Sequence, residues 1–241
     1  MCRRAVFIAF LFAASPAMAV DLNPLWNFDD PAQSEARLRA ALSSASGDDA
    51  FILQTQIART HGLRADFAAA QAILKRLEPQ LRTASTEART RYWLELGRTY
   101  SSGAHAPASQ TKAVRAMARS AYDMALETAR SAQLDALAID AIHMLAFVDT
   151  APADQLKWGQ LALGVALAST QPSAKAWEAS LRNNVGYALY ELGRYDDALA
   201  QFQRAVALRE RGGDGEATRV ANWMVAWTLR AMYRTDEALA I

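Results

Sequence analysis

"ELGRYDDALAQF", residues 191–202, decides how the rest of the chain is read. Gly193 falls just past a helical run, where the chain needs a left-handed residue and a side chain would clash. Asp196 and Asp197 stand where a second helix begins, and their charge favours its exposed amide end. Ala198 is small because two helices of a hairpin cross closely near their connection. Phe202 lies one turn on and Ala205 follows it along the same seam. The stretch predicts the corner of an antiparallel helical hairpin.

The corner recurs. "YRTDEALAI" at 233–241 repeats two acids, alanine and leucine, with Ala238 forty residues after Ala198. "GLRADFAAAQAIL" at 62–74 is a looser copy. "WLELGRTY" at 93–100 precedes a helix carrying Ala118, Tyr122 and Ala125, the same small–large–small order as Ala198, Phe202 and Ala205.

From Pro31 onward the apolar spacing is three and four, with no strand-like alternation. Breakers at "SGDDA" (46–50), "AHAPASQ" (104–110), "TAPAD" (150–154), "TQPS" (170–173) and "RGGDG" (211–215) divide it. Helices are predicted over 32–45, 50–62, 65–79, 86–101, 110–130, 132–148, 153–169, 173–192, 196–210 and 216–233, with an eleventh from Asp236. Residues 20–30 read as an irregular lead-in whose Leu25, Trp26 and Phe28 dock on the first helix.

On these residues the chain resembles the tetratricopeptide repeat family, whose helix–turn–helix unit carries this signature. Trp93, Leu96, Gly97 and Tyr100 fall on the four marker positions of a first helix. Val185, Gly186 and Leu189 match more loosely, and Tyr195, Ala198, Phe202 and Ala205 match the second half of that unit. The spacing is nearer forty residues than the family's thirty-four, which predicts irregular repeats. The resemblance implies an all-α fold, an α-solenoid of stacked antiparallel helix pairs wound as a right-handed superhelix. Residues 20–49 would be a lead-in and capping helix, and 50–241 the array. The last repeat reads as incomplete, with the chain expected to continue beyond Ile241 and cover by another chain as the alternative.

Residues 1–19, "MCRRAVFIAFLFAASPAMA", read as a secretory signal peptide with cleavage after Ala19. Its apolar run is shorter than the ~20 residues a membrane span needs. The full chain carries a net charge of +1. Arg3 and Arg4 leave with the leader and no acid does, so 24 basic residues face 25 acidic ones. That balance offers no electrostatic footprint for nucleic acid. The single cysteine, Cys2, also leaves, which excludes disulfides and thiolate chemistry. With no Asn-x-Ser/Thr acceptor either, the expected location is a bacterial periplasm, without a membrane span after cleavage.

Nothing reads as catalytic. His61, His105 and His143 are not at metal-binding spacing and read as packing, surface or loop residues. "GGDG" at 212–215 lacks the oxygen ligands of a calcium loop and reads as a connector. Gly159 and Gly164 read as close-packing positions, and Asp135 and Asp140 as a solvated helix face. No nucleophile elbow, phosphate loop or dinucleotide fingerprint is present. No enzymatic activity, metal or cofactor is expected.

Trp93, Tyr100, Tyr122, Tyr195 and Phe202 are expected in the seams. By the resemblance, Arg98, Asn183, Tyr187, Tyr190, Trp223 and Trp227 line the groove, as a partner-binding set of the residue types that anchor interfaces. For Trp223 and Trp227, packing between units is the alternative. Family members that hold acidic chaperone tails use lysines and asparagines on this face, and no lysine clamp can be assembled here. The expected function is an exported scaffold that binds a protein or peptide in its groove. The alternative is a periplasmic sensory or regulatory input domain of a longer envelope protein.

Overall fold

The structure, a computed structural model, describes residues 20–241 apart from Asp214. The expected leader lies outside the described residues. Among the described residues the regular structure is helical throughout, as the three-and-four spacing predicts. The α-helices are α1 (Pro31–Leu42), α2 (Gly47–Leu63), α3 (Phe67–Leu77), α4 (Thr86–Tyr100), α5 (Lys112–Ser131), α6 (Asp135–Leu145), α7 (Pro152–Ala168), α8 (Pro172–Lys175), α9 (Glu178–Glu191), α10 (Tyr195–Gly212), α11 (Gly215–Ala231) and α12 (Thr235–Leu239).

Each helix packs on the next in sequence except the short α8, which lies on α6 and α7. Beyond sequence neighbours, α2 lies on α4, α4 on α6 and α7 on α9. The arrangement is an α-solenoid of stacked antiparallel pairs, α2/α3, α4/α5, α6/α7, α9/α10 and α11/α12. Two cores fill it. One is built from α1 to α4 around Leu38, Phe51, Leu53 and Leu74. The other runs from α4 to α11 around Tyr122, Ile142, Leu181 and Phe202.

The seam residues behave as their sizes demand. Ala118, Tyr122, Ala125, Ala198, Phe202 and Ala205 are all fully buried. A β-carbon on Gly186 would lie 2.7 Å from the Phe202 ring, so the glycine is what lets α9 and α10 close. Tyr122 donates its hydroxyl proton to the Ser101 carbonyl, satisfying the one polar atom of a buried ring. Trp93, Tyr100 and Tyr195 sit at the seam edges and are only half-buried.

The corner at Gly193 takes φ +72°, in the left-handed region, and Arg194 N–H closes the helix on the Leu189 carbonyl. The same bond spans five residues at Asp66, Leu134 and Arg234, around Ala65, Gln133 and Tyr233, which also have positive φ. Four corners therefore share one geometry, and only one of them uses glycine.

Some boundaries differ from expectation. The single helix predicted over 173–192 is broken at Ala176 and Trp177, where the Trp177 ring turns inward to lie 5.7 Å from the His143 ring. The α6 helix stops at Leu145, and residues 146–149 unwind in turns that aim Asp149 at Trp158 and Arg119. In the lead-in, Leu25 and Trp26 pack on the first core as expected, whereas Phe28 remains 59% exposed and stacks on Trp26. Gly159 does permit close packing, since a β-carbon there would lie 3.0 Å from Val185 Cγ2. Gly164 faces open space and has no such role.

Candidate groove site

The first helices of the pairs, α2, α4, α6, α9 and α11, present two rows of side chains on one face. Arg59, Arg98, His143, Tyr187 and Trp227 form one row. Gln56, Glu95, Asp140 and Asn184 stand three residues earlier on the first four helices and form the other. This spacing puts both rows on the same helical face, one turn apart.

The N-terminal half of this face is a charge network. Arg98 donates from one terminal nitrogen to Glu95 and from the other to Asp140, bridging α4 and α6. Arg59 lies 3.8 Å from Glu95 and rests over the stacked Trp26 and Phe28 rings, 5.5 Å from each centroid. Glu95 and Asp140 are buried. Burial lifts the Glu95 carboxyl above its ordinary range, against the pull of Arg98 and Arg59. Burial acts in the same sense on Asp140, but Arg98 and Arg59 outweigh it and hold that carboxyl low. Burial also acts to lower the Arg98 guanidinium, and Asp140 and Glu95 overcome it. Asp140 is therefore an ion-paired core residue and does not lie on a solvated face. Arg98 lines a cavity on this face, and its head is taken up within the protein.

His143 is the hinge between the two halves. Asn184 Nδ2 lies 3.3 Å from its Nδ1, and the ring makes an edge contact with Phe147. Burial pushes its pKa down, which keeps the imidazole neutral near pH 7. Donation by the Asn184 amide to Nδ1 leaves the ring proton on Nε2. His61 and His105 are held elsewhere, His61 beside Asp66 and Glu35, and His105 stacked on Phe67 at 3.8 Å.

The C-terminal half is aromatic. Tyr190 and Trp227 stack at 3.7 Å, Trp223 and Trp227 at 5.6 Å, and Tyr187 and Trp227 at 6.1 Å. The six residues expected in the groove thus divide. Tyr187 (44% exposed) and Trp223 (60% exposed) are open, Tyr190 and Trp227 are half-buried in the stack, and Asn183 lines a small cavity with Tyr187 and His143. Asn183 Oδ1 is buried without a partner.

Sequence reasoning missed Glu95, Asp140 and Asn184 as a set. The available signal was their common place in the repeat, one turn before Arg98, His143 and Tyr187. No three His, Cys, Asp or Glu side chains converge as a metal site among the described residues. No described helix is long and apolar enough to cross a membrane.

The family model described as "Tetratricopeptide repeat" matches residues 177–241. This segment is similar to tetratricopeptide repeats. Its bounds take in α9 to α12, where Gly186, Ala198 and Phe202 make the close crossing described above. Among solved structures, the fold is similar to the crystal structure of BtubC (BKLC) from P. vanneervenii. The TM-score is 0.64 at 15% identity, over 92% of this chain and 88% of that one. No curated protein matches the chain in sequence. The tetratricopeptide repeat supports a protein-interaction scaffold, since stacked helix pairs build an extended groove.

Proposed function

We propose that the chain is an exported, non-catalytic scaffold whose groove holds an extended segment of a partner protein. One observation carries this reading. Tyr187 and Trp223 stay open to solvent while Tyr190 and Trp227 brace them from behind by stacking. Rigid, pre-ordered aromatic rings lose little entropy on binding and supply large contact areas. Asn183 lines the cavity beside Tyr187, and its unpartnered Oδ1 would accept a backbone N–H of the segment once the side chain turns outward.

The test is selection of binders from a random peptide library on the purified chain, followed by calorimetry of the enriched peptides. The Tyr187→Ala/Trp223→Ala variant should keep its helicity and melting temperature and lose at least tenfold in affinity. Unchanged affinity would place the binding surface elsewhere. Export is part of the proposal, and the basic, apolar and small-residue order of residues 1–19 supports it. Protein recovered from the periplasmic fraction of a bacterial host should begin at Val20 by N-terminal sequencing. Retention in the cytoplasm with residues 1–19 intact would refute it.

A further inference from the structure

The charged half of the groove surrounds a cavity of about 340 Å³, separate from the exposed aromatics. That is within the range of small-molecule sites. Its titratable wall is Arg59, Glu95, Arg98, Asp140 and His143. Arg98 holds both acids and has little left to offer a ligand. Glu95 is different, because its Oε2 is buried and has no partner. Arg59 is likewise incomplete, with a buried Nε that donates to nothing, and its 3.8 Å approach to Glu95 is longer than a charge-assisted hydrogen bond of about 2.7–2.9 Å.

Buried polar atoms without partners are rare, because each forfeits its hydration. Here an orphan acceptor and an orphan donor occur on neighbouring side chains in one cavity wall. Their charges constrain what completes them. Two guanidiniums and two carboxylates cancel, so a ligand with net charge would bring an uncompensated ion into a site with buried walls. A molecule carrying a cation and an anion a few bonds apart matches both orphans and keeps the balance. Apart from Thr99 and Ser102 the remaining wall is apolar, with Phe147 and Trp177 positioned to take a side chain.

We propose that this cavity binds a small zwitterion of the α-amino acid class, its ammonium received by Glu95 and its carboxylate by Arg59. Reaching Glu95 requires the Arg59 head to shift along the Trp26 and Phe28 rings, which it contacts without a hydrogen bond. The site is independent of the peptide-binding reading, since neither Tyr187 nor Trp223 lines it.

The experiment is thermal melting and calorimetry of the whole chain with each of the twenty common amino acids. At least one should raise the melting temperature and bind with measurable heat. The amine lacking the carboxylate and the acid lacking the amine should each bind at least tenfold more weakly. Arg59→Ala should lose the same factor, and so should Glu95→Gln where it folds. Tyr187→Ala/Trp223→Ala should bind like the parent chain. Absence of a response to every amino acid, or an analogue without the amine binding as tightly as its parent, would overturn the proposal without touching the peptide groove.

Discussion

The Tyr122 ring occupies the place where a side chain on Gly97 would have to stand, 2.4 Å from an ideal β-carbon. Both residues are buried, and the ring is tied down by its bond to Ser101, so it cannot move aside freely. Gly97→Ala should therefore destabilise the chain by about 1–3 kcal/mol through overpacking, despite the better helix propensity of alanine. Gly164→Ala, at an exposed helical glycine facing open space, should instead stabilise by about 1 kcal/mol. Urea denaturation of the two variants checks the opposite signs. A neutral Gly97→Ala would mean that α4 and α5 are not held at this separation.

The Gly97–Tyr122 contact also marks what was legible in advance. Small and large residues at helical spacing report a close crossing directly, so Ala118, Tyr122, Ala125, Ala198, Phe202 and Ala205 could be placed from their order alone. Gly193 announces its left-handed turn. Ala65, Gln133 and Tyr233 do not, because there the closing hydrogen bond and the packing of both helices impose the conformation on residues that do not prefer it. Arg98 and Asp140 are 42 positions apart, and no local pattern states that they meet. An acid on a helix reads as solvated until the superhelix shows which face turns inward. The aromatic groove residues were visible as a set, but which of them brace and which are open depends on ring stacking between α9 and α11.

Removing Arg98 should cost much more than an exposed arginine does. Its guanidinium neutralises Glu95 and Asp140, both buried, and a lone buried charge keeps its desolvation penalty once its partner is gone. Arg98→Met should destabilise by about 3–5 kcal/mol. Adding Asp140→Asn to that variant should recover most of the loss, because Arg59 and Glu95 then remain as a balanced pair. A double-mutant-cycle analysis of urea midpoints measures the recovery. A double variant no more stable than Arg98→Met would show that the cost is packing and not charge.

His143 sets a pH dependence. In the unfolded chain it titrates near ~6.5, and in the fold burial holds its pKa lower. Between those values the unfolded chain takes up a proton that the folded one refuses. Its contribution to stability is therefore complete above pH ~6.5 and falls as the pH drops toward the folded pKa, no more steeply than about 1.4 kcal/mol per unit. Glu95, whose carboxyl is raised, acts with the opposite slope, but it is present in both chains of the comparison. Urea denaturation at pH 7.5 and pH 5.5 should show a smaller loss on acidification for His143→Gln than for the parent. Equal losses would mean that folding leaves the His143 pKa unshifted.

Trp223 and Trp227 stand four residues apart on α11 and should answer mutation differently. Trp227 is half-buried between Tyr190 and Trp223 and packs on the second core. Trp223 touches the stack from outside and leaves 60% of its surface open. A fully buried aromatic truncated to alanine costs about 3–5 kcal/mol, so Trp227→Ala should lose roughly 2–3 kcal/mol. Trp223→Ala should stay within about 0.5 kcal/mol of the parent, as open surface positions do. Paired urea curves separate the two roles. If both variants lost the same stability, packing between units would account for the aromatic row, and its claim to be a binding surface would fail.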